Sequence, residues 1–229
     1  MHEGKTKRVE EREEKVILHF KDDITAGNGA KHDIIKGKGR ICAEMTAILM
    51  RYLNEKGILT HFIDYEPPNK IIAKKLKMFP LEVVVRFKKA GSFIRRYGGN
   101  EGEELPEPLV EFFIKDDERH DPMVCRKHMI IMGIASEKDI EEMERSALKA
   151  AYLLRDFFLK GELELWDMKF EYGKGSDGKI YMGDEISPDT LRLRKKAGIY
   201  DKDIYRRDLG DPIKAYKEVL EICRAIASR

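Results

Sequence analysis

The stretch from Glu162 to Tyr172 most constrains what this chain can build. Read at the two-residue period of a strand, its even positions include Trp166, Met168, Phe170 and Tyr172, and its odd positions end in Asp167, Lys169 and Glu171. One face is an apolar wall. The other sets two carboxylates and an ammonium in a row, each about 7 Å from the next. An Asp177-Gly178 turn signal follows, and then a short apolar return, Ile180 to Met182, which delivers Gly183-Asp184-Glu185 beside the charged row. Four carboxylates and a lysine on one hairpin are costly to gather unless they bind something. A hydrated divalent cation carrying nucleotide phosphates fits that group best.

Composition narrows the function classes. Charged residues make up 38% of the 229 positions, yet the net charge is only +2, because Lys, Arg, Asp and Glu are interleaved. Near-balance argues against a nucleic-acid binder that works by bulk charge. Dense mixed charge is also the pattern of ion-pair networks in heat-stable proteins. Hydrophobic residues reach 42%, enough for a core. The three cysteines, Cys42, Cys125 and Cys223, are far apart and not in CxxC spacing, so neither a disulfide framework nor a zinc site is expected. No apolar run approaches the roughly 20 residues of a membrane span, and Met1-His2-Glu3-Gly4-Lys5 has no apolar signal segment. A cytoplasmic protein with no membrane or nucleic-acid partner is expected.

Pattern along the chain predicts an α+β fold with a mixed sheet. Strands are expected at Lys15 to Phe20, His61 to Tyr65, Ile71 to Leu76, Glu82 to Phe87 and Leu109 to Ile114. A first helix is expected from Ile41 to Leu53, and a terminal helix opening at Asp211-Pro212. Ser136 to Asp139 reads as the capping box of a long helix reaching about Leu159. Asp121-Pro122 is read as opening a short helix. The Gly-rich segment from Asp22 to Gly39 is too long for a simple turn and is read as a functional loop. A lobe boundary is placed near residue 82, giving segments 1–82 and 83–229.

Several shorter segments fit two readings each. Glu3-Gly4-Lys5-Thr6-Lys7 fits a phosphate-gripping turn or a solvated strand with lysines on its outer face. Asp23 to Lys31, with Gly27, Asn28 and Gly29, fits an anion nest or a surface turn. Arg86, Ser92, Arg95 and Arg96 around Ala90-Gly91 fit a phosphate or carboxylate site or a solvated basic turn. His120 fits a base or a structural histidine. Asp184 through Arg192 puts an acidic, metal-binding end near an anion-binding end, and Lys202, Asp203, Arg206 and Arg207 add a second basic cluster.

Taken in order, these stretches resemble one family. The set Glu3-Gly4-Lys5-Thr6-Lys7, Asp22-Asp23-Ile24-Thr25-Ala26-Gly27, Glu82-Val83-Val84-Val85-Arg86, Ala90-Gly91-Ser92, His120-Asp121-Pro122-Met123, Asp167-Met168-Lys169-Phe170-Glu171, Gly183 through Asp189 and Asp201-Lys202-Asp203 resembles the phosphoribosylaminoimidazole-succinocarboxamide synthase (SAICAR synthetase) family over nearly the whole chain. Any one motif is weak; eight in sequence are specific. The resemblance implies two α+β lobes with ATP lying between them, and an ATP-dependent ligation of L-aspartate to carboxyaminoimidazole ribonucleotide (CAIR), probed below by its site. Carried over by position, Gly4, Lys5, Lys7, Lys74 and Glu82 would form the ATP site, and Glu171 and Asp184 would hold Mg²⁺. Arg86, Ser92, Asp121, Arg192, Lys202 and Arg206 would bind the substrates, with Asp121 on the aspartate side. Lys169, Asp167 and Asp184 would stand at the chemistry. The resemblance also implies a homodimer.

The chain departs from the family's usual pattern at Phe87-Lys88-Lys89 and at Arg194-Lys195-Lys196, and both changes add positive charge near the expected nucleotide site. Two other functions stay open from the residues: a small-molecule kinase that stops at phosphoryl transfer, and a nucleotide-binding regulator without turnover. Intact Lys169, Glu171 and Asp184 argue against the second.

Overall fold

The computed structural model describes residues 2–196 and 198–228, and the backbone alone at Asn28. In its first third, β1 (His2–Glu3), β2 (Lys7–Glu11) and β3 (Lys15–Phe20) lead into a separate hairpin, β4 (Asp23–Ala26) and β5 (Lys31–Ile34). Helix α1 (Lys38–Glu55), β6 (Phe62–Glu66) and β7 (Lys70–Lys74) follow. The remainder holds β8 (Lys77–Met78), β9 (Leu81–Lys88), α2 (Ser92–Tyr97), β10 (Glu104–Ile114), β11 (Met123–Val124), α3 (Arg126–Ile131), α4 (Glu137–Leu159), β12 (Glu164–Lys174), β13 (Ile180–Gly183), β14 (Leu191–Lys195), β15 (Gly198–Ile199), α5 (Asp203–Arg206) and α6 (Ile213–Ala227).

The strands form two antiparallel sheets and the small β4–β5 ribbon. One sheet runs β1-β2-β3-β7-β6. The other runs β11-β10-β9-β12-β14-β15, with β8 and β13 also paired to β12. The chain changes sheets between Lys74 and Lys77, and Glu82 lies in β9 of the second sheet. Helix α1 lies against the first sheet and against α6, while α4 lies against β9, β10 and β12. One apolar core runs through both, from Leu18 and Phe20 through Met45 and Leu49 to Leu154, Phe170 and Val219. Among the described residues no helix is long and apolar enough to cross a membrane.

Local chemistry explains most of the element ends. Ser136 caps α4: its hydroxyl accepts from the Asp139 amide at 3.2 Å, and the Asp139 carboxylate accepts from the Ser136 amide at 3.4 Å, the reciprocal pairing of a capping box. Helix α4 then lays Ile140, Met143, Ala147, Ala151, Leu154 and Phe158 into the core as one stripe. At the start of α6, the Asp211 carboxylate accepts from the Ile213 amide at 2.8 Å. Gly39, in the first turn of α1, lies under the chain: a Cβ there would stand 2.6 Å from the Phe20 carbonyl oxygen.

Three expectations are corrected. The Gly-rich segment is not an extended loop; residues 23–34 pair as the β4–β5 ribbon, with Asp23 opposite Ile34 and Ala26 opposite Lys31. Short-range alternation there is too polar to announce a strand. Asp121-Pro122 does not open a helix. Asp121 has a left-handed backbone, φ 49°, Met123–Val124 adds an edge strand to β10, and the helix starts only after Cys125. Trp166 is not part of the buried wall. The β12–β14 register slips between Leu165 and Asp167, so Leu165 and Met168 are buried while Trp166 leaves the core and takes the Arg194 guanidinium over its ring at 4.8 Å.

Replacing Ser136 with Ala removes the cap without touching the core. Ser136→Ala should cost about 1 kcal/mol in urea unfolding, with the same denaturant slope. An unchanged midpoint would show that the capping box adds nothing to the stability of α4.

Candidate functional site

Strand β12 sits at the centre of the second sheet, and its register decides which charges meet. Beyond the slip at Trp166, Met168, Phe170 and Tyr172 are buried on the core side as the alternation predicts. On the other side, Asp167 stands opposite Arg86 of β9 and Arg192 of β14. Directly opposed residues of opposite charge attract across a sheet. Asp167 Oδ2 accordingly accepts from Arg86 at 2.8 Å and from Arg192 at 2.5 Å. Further along, Glu171 pairs with Gly183 of β13, so Asp184 and Glu185 emerge beside the charged row. Asp184 has a left-handed backbone, φ 56°, a conformation that a non-glycine residue adopts at a cost. His61 holds it there: Nε2 donates to the Asp184 carbonyl at 3.2 Å.

Three lysines converge on these carboxylates, two of them from outside β12. Lys7 of β2 stands 2.9 Å from Asp184 Oδ1 and 2.5 Å from Glu185 Oε1. Lys169 lies 2.6 Å from Glu82 Oε1 and 3.6 Å from Glu171 Oε1. Lys115, just past β10, lies 2.6 Å from Glu171 Oε2. Burial resists ionisation of Asp184, but Lys7 and Lys169 outweigh it and hold the carboxyl down at about 2. Glu171 is pushed the other way: its burial and the Asp184 charge outweigh Lys169 and Lys115. Glu171, buried on β12, and Asp184, half-buried just past β13, repel each other and would be stabilised by a shared divalent cation. Magnesium is commonly held by one or two carboxylates together with phosphate oxygens and water, so the donor set at Glu171 and Asp184 fits it.

The other residues expected at an ATP site fall on the same side or apart from it. The Gly4 amide donates to the Lys7 carbonyl at 2.8 Å and closes the N-terminal turn. Lys5, at the edge of that turn, pairs with Asp117 at 2.6 Å. The tip of the β4–β5 ribbon lies beside it, since a Cβ on Gly29 would stand 3.7 Å from Lys5 Cε. Gly27 and Gly29 both have positive φ, whereas the Asn28 side chain of the expected nest lies outside the described residues. Lys74 is placed over the Tyr181 ring at 4.8 Å. Asp121 accepts from the Asp116 amide at 2.9 Å and tightens the loop that carries Asp117 and His120.

The arginines form a second group joined to the first through Asp167. Arg86 donates to Glu111 at 2.6 Å and to Ser92 Oγ at 2.9 Å. Arg192 donates to Asp203 at 2.7 Å, and Arg206 to the same carboxylate at 2.9 Å. Gly91 is required where Arg192 passes: its φ is 53°, and a Cβ there would stand 2.6 Å from the guanidinium. Lys202 is buried, 3.8 Å from Asp189. Burial, with Arg206 and Lys38 nearby, outweighs Asp189 and brings its ammonium down to about 8. Four of the extra basic residues, Lys88, Lys89, Arg194 and Lys195, are countered by acids. Lys88 pairs with Glu164 at 2.9 Å, Lys89 with Glu103 at 2.6 Å and Lys195 with Glu162 at 3.1 Å. Arg194 binds Asp201 and Asp203, behind Arg192.

Sequence reasoning missed Lys38, Glu111, Lys115 and His61. Lys38 had a signal: it sits three and seven residues before Ile41 and Met45, on the apolar stripe of α1, where a lysine needs a buried partner. That partner is Asp189, at 2.7 Å, which also accepts from Tyr216 at 2.6 Å. Among the described residues, Cys42, Glu185 and Asp189 are the one group of three with metal-ligand spacing. Its carboxylates are already held by Lys7, Lys38 and Ser187, and burial pushes the Cys42 thiol up to about 12, so it is a satisfied charge network.

Comparison with known proteins fits this geometry. The family model for SAICAR synthetase matches residues 1–223. A phosphoribosylaminoimidazole-succinocarboxamide synthase of Thermotoga petrophila is 63% identical over 228 residues, covering 100% of this chain and 99% of its own. Its counterpart in Methanocaldococcus jannaschii is 43% identical, covering 96% and 93%. Among solved structures, a SAICAR synthetase in complex with ADP superposes with a TM-score of 0.94 at 45% identity, covering 97% of this chain and 96% of that one.

His61 gives the site an acid limit. Burial holds its imidazole at about 4, below the ordinary 6.5. The folded pKa lies below the unfolded one, so the neutral form's contribution is complete above pH 6.5 and is lost as pH falls towards 4. Urea unfolding of His61→Gln across that window should show a shallower loss of stability than the parent chain. Equal slopes would show that His61 does not fold as the neutral form.

Proposed function

The chain belongs to the SAICAR synthetase family, and we propose that it carries out that family's reaction with the groups gathered around β12. It is an ATP-dependent carbon–nitrogen ligase of de novo purine biosynthesis. It joins L-aspartate to the carboxylate of CAIR and yields SAICAR, ADP and phosphate. The observation that carries the site assignment is the convergence of Glu171, Asp184, Lys7 and Lys169 at one end of the β12–β13 hairpin.

A carboxylate is a poor electrophile, so the reaction needs activation. A CAIR carboxylate oxygen attacks the γ-phosphorus, ADP leaves, and an acyl phosphate forms. The aspartate amine then attacks the acyl carbon, phosphate departs, and the amine loses a proton. Phosphoryl transfer of this kind depends on positioning and charge neutralisation more than on a protein nucleophile. Glu171 and Asp184 hold magnesium, which would neutralise charge on the transferring group. Lys5, Lys7 and the Gly4 turn grip the phosphates, with Lys74 and Glu82 completing the nucleotide side. Lys7 is pre-paired with Asp184 and Glu185, which would hold its ammonium ready for phosphate oxygens. Lys169 faces the reacting carboxylate. Asp167 fixes Arg86 and Arg192, which with Ser92, Lys202 and Arg206 bind CAIR. The Asp121 loop lies on the aspartate side.

A division into two lobes, a homodimeric assembly and a cytoplasmic location complete the reading. A net charge of +2 supports small-molecule substrates over nucleic acid, and no membrane partner is invoked.

Incubation with ATP, Mg²⁺ and CAIR should release product only when L-aspartate is present. Phosphoryl transfer to a stable product without the amine would point to a kinase instead. Asp184→Asn should cut turnover by roughly two orders of magnitude or more while far-UV circular dichroism stays unchanged, because a metal ligand is lost. Near-normal turnover in that variant would remove Asp184 from the metal site.

A further inference from the structure

The β4–β5 ribbon touches both halves of the site. Its base is pinned by Asp22, whose carboxylate accepts from the Gly37 amide at 3.0 Å and the Gly39 amide at 2.9 Å. Its tip lies beside Lys5, on the nucleotide side. Its second strand reaches α5, the single turn that carries Asp203 and Arg206 and begins at Lys202. There the Tyr205 hydroxyl donates to Asp33 Oδ2 at 2.8 Å, and Lys31 donates to the Tyr205 carbonyl at 2.7 Å and to Asp208 at 2.6 Å. The Lys31 ammonium also lies 3.9 Å from the Tyr205 ring centroid. The first strand is anchored by Ile24, which is fully buried, whereas His32, Asp33 and Ile34 of the second strand are exposed.

A buried tyrosine hydroxyl aimed at an exposed carboxylate 172 residues away in sequence is not needed to build either sheet. It ties the exposed second strand of the ribbon to the turn that presents Arg206 and Lys202. We propose that Tyr205 is a positioning residue which, through Asp33, makes the ribbon couple the nucleotide and ribonucleotide sites. This rests on the ligase reading of those sites. Phosphates bound at Lys5 hold the ribbon tip where it lies, the same ribbon steadies α5, and CAIR then meets Lys202 and Arg206 already in place. Coupling of this kind is reciprocal, so CAIR must tighten nucleotide binding by the same factor.

Isothermal titration with ADP and Mg²⁺, with and without saturating CAIR, reads the coupling without turnover. Each ligand should tighten the other in the parent protein. Tyr205→Phe keeps the ring and removes only the hydroxyl. It should reduce the coupling by roughly three- to tenfold, the worth of one hydrogen bond to an exposed acceptor, and raise KM for CAIR with kcat changed by less than about twofold. Asp33→Ala should behave alike, the double variant should be no worse than either single, and Asp33→Asn, which keeps an acceptor, should retain most of the coupling. Parent-level coupling in Tyr205→Phe, or additive losses in the double variant, would overturn the latch while leaving the ligase reading intact. Independent binding of ADP and CAIR to the parent protein would overturn the coupling as well. A parent protein that bound neither ligand would overturn the ligase reading itself, and the coupling with it.

Discussion

Asp167 between Arg86 and Arg192 is the interaction on which the rest of the site depends. It stands on the central strand of the larger sheet, and its two partners stand on the strands either side. Buried charge is tolerated only when it is paired and hydrogen-bonded. The pairing therefore locks the register of β9, β12 and β14 together, because a one-residue slip would turn these charges into the core. With that register fixed, Glu171 must face Gly183, and Asp184 and Glu185 must emerge where Lys7 can reach them.

The same logic runs outward in shells of alternating sign. Asp167 holds Arg192, Arg192 meets Asp203, and Asp203 also holds Arg194 and Arg206. On the other side Arg86 meets Glu111, which also holds Arg96 of α2. Such a network is stiff, since no member can move without leaving a buried partner uncompensated. It leaves cations near the rim, such as Lys5 and Lys31, as ones that can change partners at small cost. Part of the high charge content of the chain thus fixes the geometry of one site.

The solved relatives and the β12 hairpin argue from different directions. Similarity establishes the family and the fold, while the ion pairs around Glu171 and Asp184 give a physical reason for those residue types at those positions. A magnesium–nucleotide site needs acids that stay ionised next to one another. Here the lysines of three separate elements keep Asp184 ionised, and the Asp184 charge in turn raises Glu171. Neither group would behave this way alone on an exposed hairpin.

The sequence by itself determined the parts governed by short-range rules. The β12–β13 hairpin, the capping box at Ser136, the apolar stripe of α4 and the start of α6 at Asp211 all rest on neighbours within a few residues. The family motifs were legible for the same reason, as local strings in order. Tertiary structure alone decided the rest. The slip at Trp166 follows from pairing with β14, and the ribbon at Asp23–Ile34 is held by distant partners and not by its own alternation. Lys7 finds Glu185 across 178 residues of sequence, and Lys115 finds Glu171 across 56. Side-chain charge says that a buried group must be paired, but which partner it takes depends on how the sheets stack, and no local pattern encodes that.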